Sequence, residues 1–75
     1  MNKAAVLVID DEAQIRKLLS ITLQANEFTV LEAATAKEGL TLVANHPPDL
    51  ILLDIGLPDQ SGHEVLRHLR EWYSN

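Results

Sequence analysis

The chain has 75 residues, 47% of them hydrophobic and 23% charged, which is an ordinary composition for one small globular unit and excludes more than one domain within these residues. Eleven acidic and six basic side chains give a formal net charge of −5, which opposes nonspecific binding to nucleic acid or anionic membranes. Cysteine is absent and no apolar run approaches the ~20 residues of a membrane span, so we expect a cytoplasmic protein without disulfides or thiolate metal sites.

Two strands and a helix are predicted in the first half of the chain. The run from Ala4 to Ile9 is short, rich in β-branched residues and not alternating, which is typical of a strand buried on both faces of a parallel sheet. An amphipathic helix follows from Glu12 onward. Its apolar residues, at helical spacing, are Ile15, Leu18, Leu19 and Leu23, opposite Gln14, Arg16, Lys17 and Gln24. We expect Asn26 to end it, because Asn tolerates the left-handed conformation that often closes a helix. A second strand fits Phe28 to Glu32.

Two helices and a third strand are predicted in the second half. Thr35 to Glu38 has the Thr-x-x-Glu form of a capping box and predicts the start of the second helix. This helix must end near His46, because two consecutive prolines follow. The apolar run from Asp49 to Asp54 predicts a third buried strand. Ser61 to Glu64 forms another capping box, so we expect a third helix that ends near Tyr73.

The element order βαβαβα predicts an α/β fold with a parallel sheet and helices on both of its faces. If the first and third strands are neighbours, Asp10, Asp11 and Asp54 lie together at the carboxyl edge of the sheet. Ligands of open α/β sheets bind at that edge. We therefore expect the functional site there.

The acidic residues at this edge indicate a cation site. Asp10, Asp11 and Glu12 follow the first strand directly, and Asp54 follows the third. Carboxylates this close repel one another, and a hard cation such as Mg2+, which needs only one or two carboxylate ligands, relieves the repulsion. Alternatively, the first three acids only cap the first helix, where the helix dipole favours negative charge. Asp54 has no such capping role, and this favours the cation.

These acids and the loop after the third strand resemble a known family. Val-Ile-Asp-Asp-Glu at 8–12, combined with Leu-Leu-Asp-Ile-Gly-Leu-Pro-Asp-Gln-Ser-Gly at 52–62, resembles the receiver domain of bacterial two-component response regulators. It is most similar to OmpR-type transcription regulators, and among them to the potassium-transport regulators. The resemblance implies a flavodoxin-like fold with strand order 2-1-3.

The resemblance also implies the chemistry. It makes Asp54 the phosphoacceptor, which takes a phosphoryl group from a sensor histidine kinase. Asp10, Asp11, Asp54 and the Gly56 carbonyl would hold Mg2+. We therefore expect a signalling switch, not an enzyme, in a parent protein that regulates transcription.

The family has five strands, and this chain ends at Asn75, about where the fourth would begin. We therefore expect residues 1–75 to be a partial receiver, cut to three βα units without strands four and five or a DNA-binding domain. The run from Leu50 to Leu53 would then be an edge strand without Lys, Pro or a bulge, which is a template for pairing with another chain. We expect a homodimer through this edge.

Other functions remain open at this point. One is a self-associating half-domain with no phosphotransfer activity. A phosphatase of the haloacid dehalogenase type also uses a strand-end Asp, but it needs a second Asp where Gly56 stands. A dinucleotide site is disfavoured because no Gly-x-Gly-x-x-Gly follows the first strand. The three histidines, His46, His63 and His68, are interpreted as surface residues.

Overall fold

The computed structural model describes residues 3–54, 57, 59 and 62–73 of the chain. Three strands and three helices alternate along these residues. They are β1 (Ala5–Ile9), α1 (Ala13–Ala25), β2 (Thr29–Ala33), α2 (Ala36–Asn45), β3 (Leu50–Leu53) and α3 (Gly62–Tyr73). No helix in the described part of the chain combines the length and the apolar character needed to cross a membrane.

The three strands form one parallel sheet in the order β2-β1-β3. Ala5 pairs with Thr29 on one side of β1, and Ile9 pairs with Leu53 on the other. The predicted α/β class and the strand order 2-1-3 are confirmed. Because β1 and β3 are in parallel register and end at the same level, the residues that follow them meet at one edge of the sheet.

The core lies on the side of the sheet that α2 and α3 cover. Val6 to Ile9 of the central strand are all fully buried, and alternate residues of a strand face opposite sides of the sheet. Leu7 and Ile9 join a cluster with residues of both helices. This cluster contains Leu7, Ile9, Ala33, Ala36, Val43, Leu57, Val65 and Leu69. Val8 faces the opposite side and lies beside Ile15 and Leu19 of α1, so helices cover both faces as predicted.

The buried stripe of α1 differs from the prediction. Leu18, predicted for the apolar face, is 62% exposed, whereas Ser20 is only 5% exposed. The residues that turn inward recur at i, i+3, i+4 and i+7, a spacing that selects one face of a helix. They are Arg16, Leu19, Ser20 and Leu23. The stripe is therefore shifted by one residue and includes a charged and a hydroxyl side chain.

The end of α1 confirms the predicted position but not the predicted reason. Asn26 has φ −101°, and Glu27 is the residue in the left-handed region, with φ 67°. The Glu27 amide donates to the Gln24 carbonyl and the Phe28 amide to the Leu23 carbonyl, both at 3.1 Å. This pair of bonds is the Schellman motif, which places the residue after the cap in the left-handed conformation.

The same motif explains why β2 begins later than expected. The Phe28 amide is used by the end of α1, so pairing with β1 starts at the next residue. The Thr29 amide donates to the Ala4 carbonyl at 2.9 Å. The predicted strand from Phe28 to Glu32 is thus displaced by one residue, to Thr29–Ala33.

β3 is an edge strand among the described residues, as expected for this strand order, and it is less buried than its apolar pattern alone indicates. Leu50 is 51% exposed, and the other three residues of the strand are half-buried. The reason is that, among the described strands, β3 pairs with β1 alone. Its composition suits a strand with a neighbour on each side, and here only one side is covered.

The start of α2 agrees with the predicted position, and one of the two bonds of the capping box is present. The Thr35 hydroxyl accepts a hydrogen bond from the Glu38 amide at 3.1 Å, whereas the Glu38 carboxylate accepts one from the Ala34 amide at 3.2 Å and not from the amide of the cap residue Thr35. The helix ends before His46, also as predicted. Ser61, the predicted cap of α3, lies outside the described residues.

Candidate functional site

Asp10 and Asp54 are held at the carboxyl edge of the sheet by backbone hydrogen bonds. The Asp54 amide donates to the Ile9 carbonyl at 2.9 Å, and the Asp10 amide donates to the Ala33 carbonyl at 3.1 Å. The first bond extends the pairing of β3 with β1 by one residue, and the second extends the pairing of β1 with β2 by one residue. The sheet therefore fixes the main chain of both aspartates next to each other.

Three carboxylates meet at this edge. One oxygen from each of Asp10, Asp11 and Asp54 can be chosen so that all three lie within 4.8 Å of one another. Asp10 and Asp54 are half-buried, while Asp11 is exposed. The convergence predicted for these residues is therefore present, although they belong to the ends of two different strands.

The donor set suits a small hard cation. It consists of oxygen atoms from carboxylates, with an exposed member that leaves room for water. Mg2+ takes oxygen ligands and usually keeps several waters, binding through one or two carboxylates. Among the described residues, no His joins this group. Gly56, the other predicted ligand, lies outside the described residues.

Glu12 does not belong to the cluster. It occupies the cap position before α1, but its side chain makes no capping hydrogen bond. Its amide donates to Oδ1 of Asp10 at 2.9 Å, so Asp10 orders the turn between β1 and α1. The alternative in which these acids serve as caps of α1 gains no support from Glu12.

Arg16 is a residue of the site that the sequence interpretation missed. Its Nη1 donates to the Asp10 carbonyl at 2.8 Å, and its Nε lies 3.5 Å from a carboxylate oxygen of Glu32. The side chain is only 19% exposed. Arg16 therefore connects the end of β1 to β2 and brings a positive charge close to the acids. The signal for it is the short distance in sequence to Asp10, since Arg16 lies six residues later, in the second turn of the predicted helix.

Asp59 is a second missed residue. The sequence interpretation assigned it to the loop after β3, but its two carboxylate oxygens accept hydrogen bonds from the amides of Ala36 and Lys37, each at 2.9 Å. Asp59 is thus attached to the beginning of α2. Leu57 in the same segment is 8% exposed and belongs to the core cluster.

A groove of about 350 Å3 opens beside the acids. Its polar end is formed by Asp10, Glu12 and Asp54, and its apolar wall is formed by side chains of α1 and β3. These wall residues include Ile15, Leu19 and Leu52. A ligand that enters the groove therefore meets carboxylates on one side and hydrocarbon on the other.

Comparison with known proteins relates this arrangement to one family. The family model for the response regulator receiver domain matches residues 6–75. The transcriptional regulatory protein KdpE of Mycobacterium tuberculosis is 51% identical over 67 residues, which are 89% of this chain and 30% of that protein. The KDP operon transcriptional regulatory protein KdpE of Escherichia coli is 46% identical over the same shares. The chain therefore spans about a third of the length of these curated relatives.

Solved structures show the same fold. A CheY-like response regulator receiver domain protein from Methanospirillum hungatei has a TM-score of 0.93 and 33% identity, covering 96% of this chain and 58% of that one. The response regulator protein TrrA from Thermotoga maritima, in complex with Mg2+ and BeF, has a TM-score of 0.89 and 36% identity, covering 93% and 61%.

Proposed function

Because the chain belongs to the response regulator receiver domain family of two-component systems, we propose that Asp54 is its phosphoacceptor and that Asp10 and Asp11 hold Mg2+ beside it. The observation that carries the proposal is the convergence of three carboxylates from two strand ends within 4.8 Å. The Mg2+ and BeF named for the Thermotoga relative lend support. Asp54 and the Gly56 carbonyl would complete the protein ligands.

The proposed reaction is a phosphoryl transfer from a phosphohistidine of a sensor histidine kinase. A carboxylate oxygen of Asp54 attacks the phosphorus, so that a P–O bond forms and the P–N bond breaks. The electron pair of the broken bond stays on the imidazole nitrogen, which takes up a proton. Mg2+, when bound, offsets negative charge on the transferred group. The chain is thus a substrate of the kinase, and it turns over no substrate of its own.

Asp54 suits the role of nucleophile better than the other two acids. Asp10 already accepts the Glu12 amide at 2.9 Å, which orients its carboxylate towards the turn. Asp11 is exposed to solvent. Asp54 shares with Asp10 its half-burial, an amide anchored to the sheet and a place at the polar end of the groove, but it lies outside the turn that leads into α1. A donor can reach it from the open side without displacing the sheet.

Intact-mass spectrometry after incubation with acetyl phosphate and Mg2+ tests the proposal. We expect one added phosphoryl group on the wild type and none on Asp54→Asn. Asp49→Asn changes an aspartate at the opposite end of β3 and serves as the matched control, which should still be labelled. Label that persists in Asp54→Asn would place the acceptor elsewhere.

The relatives suggest the wider role of the switch. Those named above are transcriptional regulatory proteins, two of them named KdpE. We infer that this receiver controls transcription as part of a longer protein. Because the present chain is acidic overall, with a net charge of −5, contacts with DNA would belong to another domain.

We also infer that a second copy of the chain pairs along β3. Within the described residues this strand has one strand neighbour, and Leu50 and Leu66 beside its outer side are both exposed. Covering several hundred Å2 of apolar surface contributes several kcal/mol at about 25 cal/mol per Å2. Sedimentation equilibrium should therefore reveal a dimer that Leu52→Lys weakens. A folded monomer at ~100 μM, a concentration at which an interface of micromolar affinity would be saturated, would refute this.

A further inference from the structure

Asp59 connects two parts of the chain that are far apart in sequence. Oδ1 accepts the Ala36 amide and Oδ2 accepts the Lys37 amide, each at 2.9 Å, across 23 and 22 residues. The two oxygens of one carboxylate are thus shared between successive amides at the positive end of α2. Negative charge is favourable at this end of a helix.

Three amides at the start of α2 donate to side chains, and two of these three bonds are long-range. A helix leaves its first four amides without intrahelical partners. With Thr35 as the cap residue, the Glu38 amide is one of these and donates to the local Thr35 hydroxyl. The amides of Ala36 and Lys37 are two more, and both depend on Asp59.

Three described residues between the end of β3 and α3 are consequently held in place. Asp54 is fixed by the bond from its amide to the Ile9 carbonyl. Leu57 is buried in the core, and Asp59 is bonded to α2. Leu57 is held by non-directional apolar packing, whereas the Asp59 bonds are directional.

We propose that Asp59 is a positioning residue of the acidic site: its bonds to α2 fix the segment that follows Asp54 and so keep that carboxylate in register with Asp10 and Asp11. The inference rests on the proposed function, because it concerns metal binding and phosphorylation at the same site. Asp59 is not among the three clustered carboxylates. Sites of this kind require ligands to be held to within about 0.5 Å by the residues around them.

The test compares Mg2+ affinity in Asp59→Ala and Asp59→Asn with that of the wild type, measured by NMR from the amide shifts of Asp11 and Asp54. We expect Asp59→Ala to raise the Mg2+ dissociation constant about tenfold, which is the lower end of the effect of losing an outer residue that orients metal ligands. Asn offers one acceptor oxygen instead of two, so Asp59→Asn should lie between. The shifts of the Ala36 and Lys37 amides should change in both variants.

Two controls separate positioning from simpler causes. Thr35→Ala removes the local cap of the same helix, so it weakens α2 without releasing the segment. Glu38→Gln removes one negative charge at the same helix start but keeps an acceptor for the Ala34 amide, so it measures the effect of charge alone. We expect both controls to bind Mg2+ within twofold of the wild type.

The possible results are distinguishable. If the wild type binds Mg2+ and accepts phosphate while Asp59→Ala does so equally well, the inference is overturned and the proposed function stands. Loss of affinity to the same degree in Thr35→Ala or Glu38→Gln would also overturn it. A wild type that binds no Mg2+ and accepts no phosphate would overturn the proposed function, and the inference with it. If Asp59→Ala does not fold, the Mg2+ affinity of Asp59→Asn, compared with that of the wild type and of the two controls, tests the inference.

Discussion

Gly39 offers the sharpest test of how tightly the core is packed behind the site. It lies in the middle of α2, against Ile9, which is the residue of β1 that precedes Asp10. A Cβ at position 39 would lie 2.5 Å from Cδ1 and 2.9 Å from Cγ1 of Ile9. Ile9 is 1% exposed, so its side chain cannot move away without displacing other core residues. We therefore expect Gly39→Ala to destabilise the fold.

The size of the effect follows from two opposing contributions. Replacing Gly by Ala inside a helix normally stabilises it by about 1 kcal/mol. Adding a methyl group to a packed core costs about 1–3 kcal/mol, and two contacts below 3.0 Å with a fully buried side chain place this site in the upper half of that range. The free energy of unfolding should fall by about 1–2 kcal/mol.

Urea denaturation of a double-mutant cycle measures this effect. Ile9→Val removes the nearest atom, Cδ1, and should cost about 0.5–1.5 kcal/mol alone. The loss of unfolding free energy in the double variant should be about 1 kcal/mol smaller than the sum of the losses in the two single variants, because the residues are in contact. Ala44→Gly on the exposed side of α2 calibrates the helix contribution. A Gly39→Ala protein as stable as the wild type, or a strictly additive double variant, would refute the reasoning.

Three further outcomes are expected. Asp11→Asn should weaken Mg2+ binding in a calorimetric titration, and equal heats from both proteins would remove Asp11 from the ligand set. Glu27→Gly should raise the free energy of unfolding by about 0.5–1 kcal/mol because it relieves the left-handed φ of 67°, whereas Lys17→Gly in α1 should lower it by about 1 kcal/mol. Asp49→Ala should lower the free energy of unfolding, measured by urea denaturation, by about 1–2 kcal/mol, because the Oδ2 of Asp49 accepts the Ala5 amide at 2.7 Å. An effect no larger than that of the exposed Glu71→Ala would contradict this.

Much of the fold could be predicted because its signals are local. The capping box at Thr35 and the two prolines after His46 bound α2 within a few residues, and both ends agree with the structure. The unbroken apolar run in β1 required a central strand, and that strand is buried on both faces. Capping depends on residues close in sequence, and an unbroken apolar run is itself a local pattern, so a few letters are sufficient to find both.

The errors arose where a neighbour in space decided the outcome. Leu18 has the same hydrophobicity as Leu19, yet α1 turns Ser20 inward and leaves Leu18 in solvent. Spacing defines an apolar face only to within about one residue, and the contact with the sheet selects among the possibilities. The exposure of Leu50 also depends on neighbours in space, since burial of a strand depends on how many strands pair with it; here the expected strand order already implied an edge.

The residues of the candidate site also differ in whether local sequence could predict them. Asp10 and Asp54 could be found from sequence because each directly follows an apolar strand, and the parallel register then brings them together. Arg16 and Asp59 carry no such local mark. Each acts by connecting two elements, Arg16 from α1 to β2 and Asp59 from the segment after β3 to α2. The residues proposed to carry the chemistry can therefore be recognised from the sequence around a single strand. The residues that hold them in place can be recognised only in the assembled fold. Substitutions at Arg16 or Asp59 should accordingly change the properties of the site without removing any of its ligands.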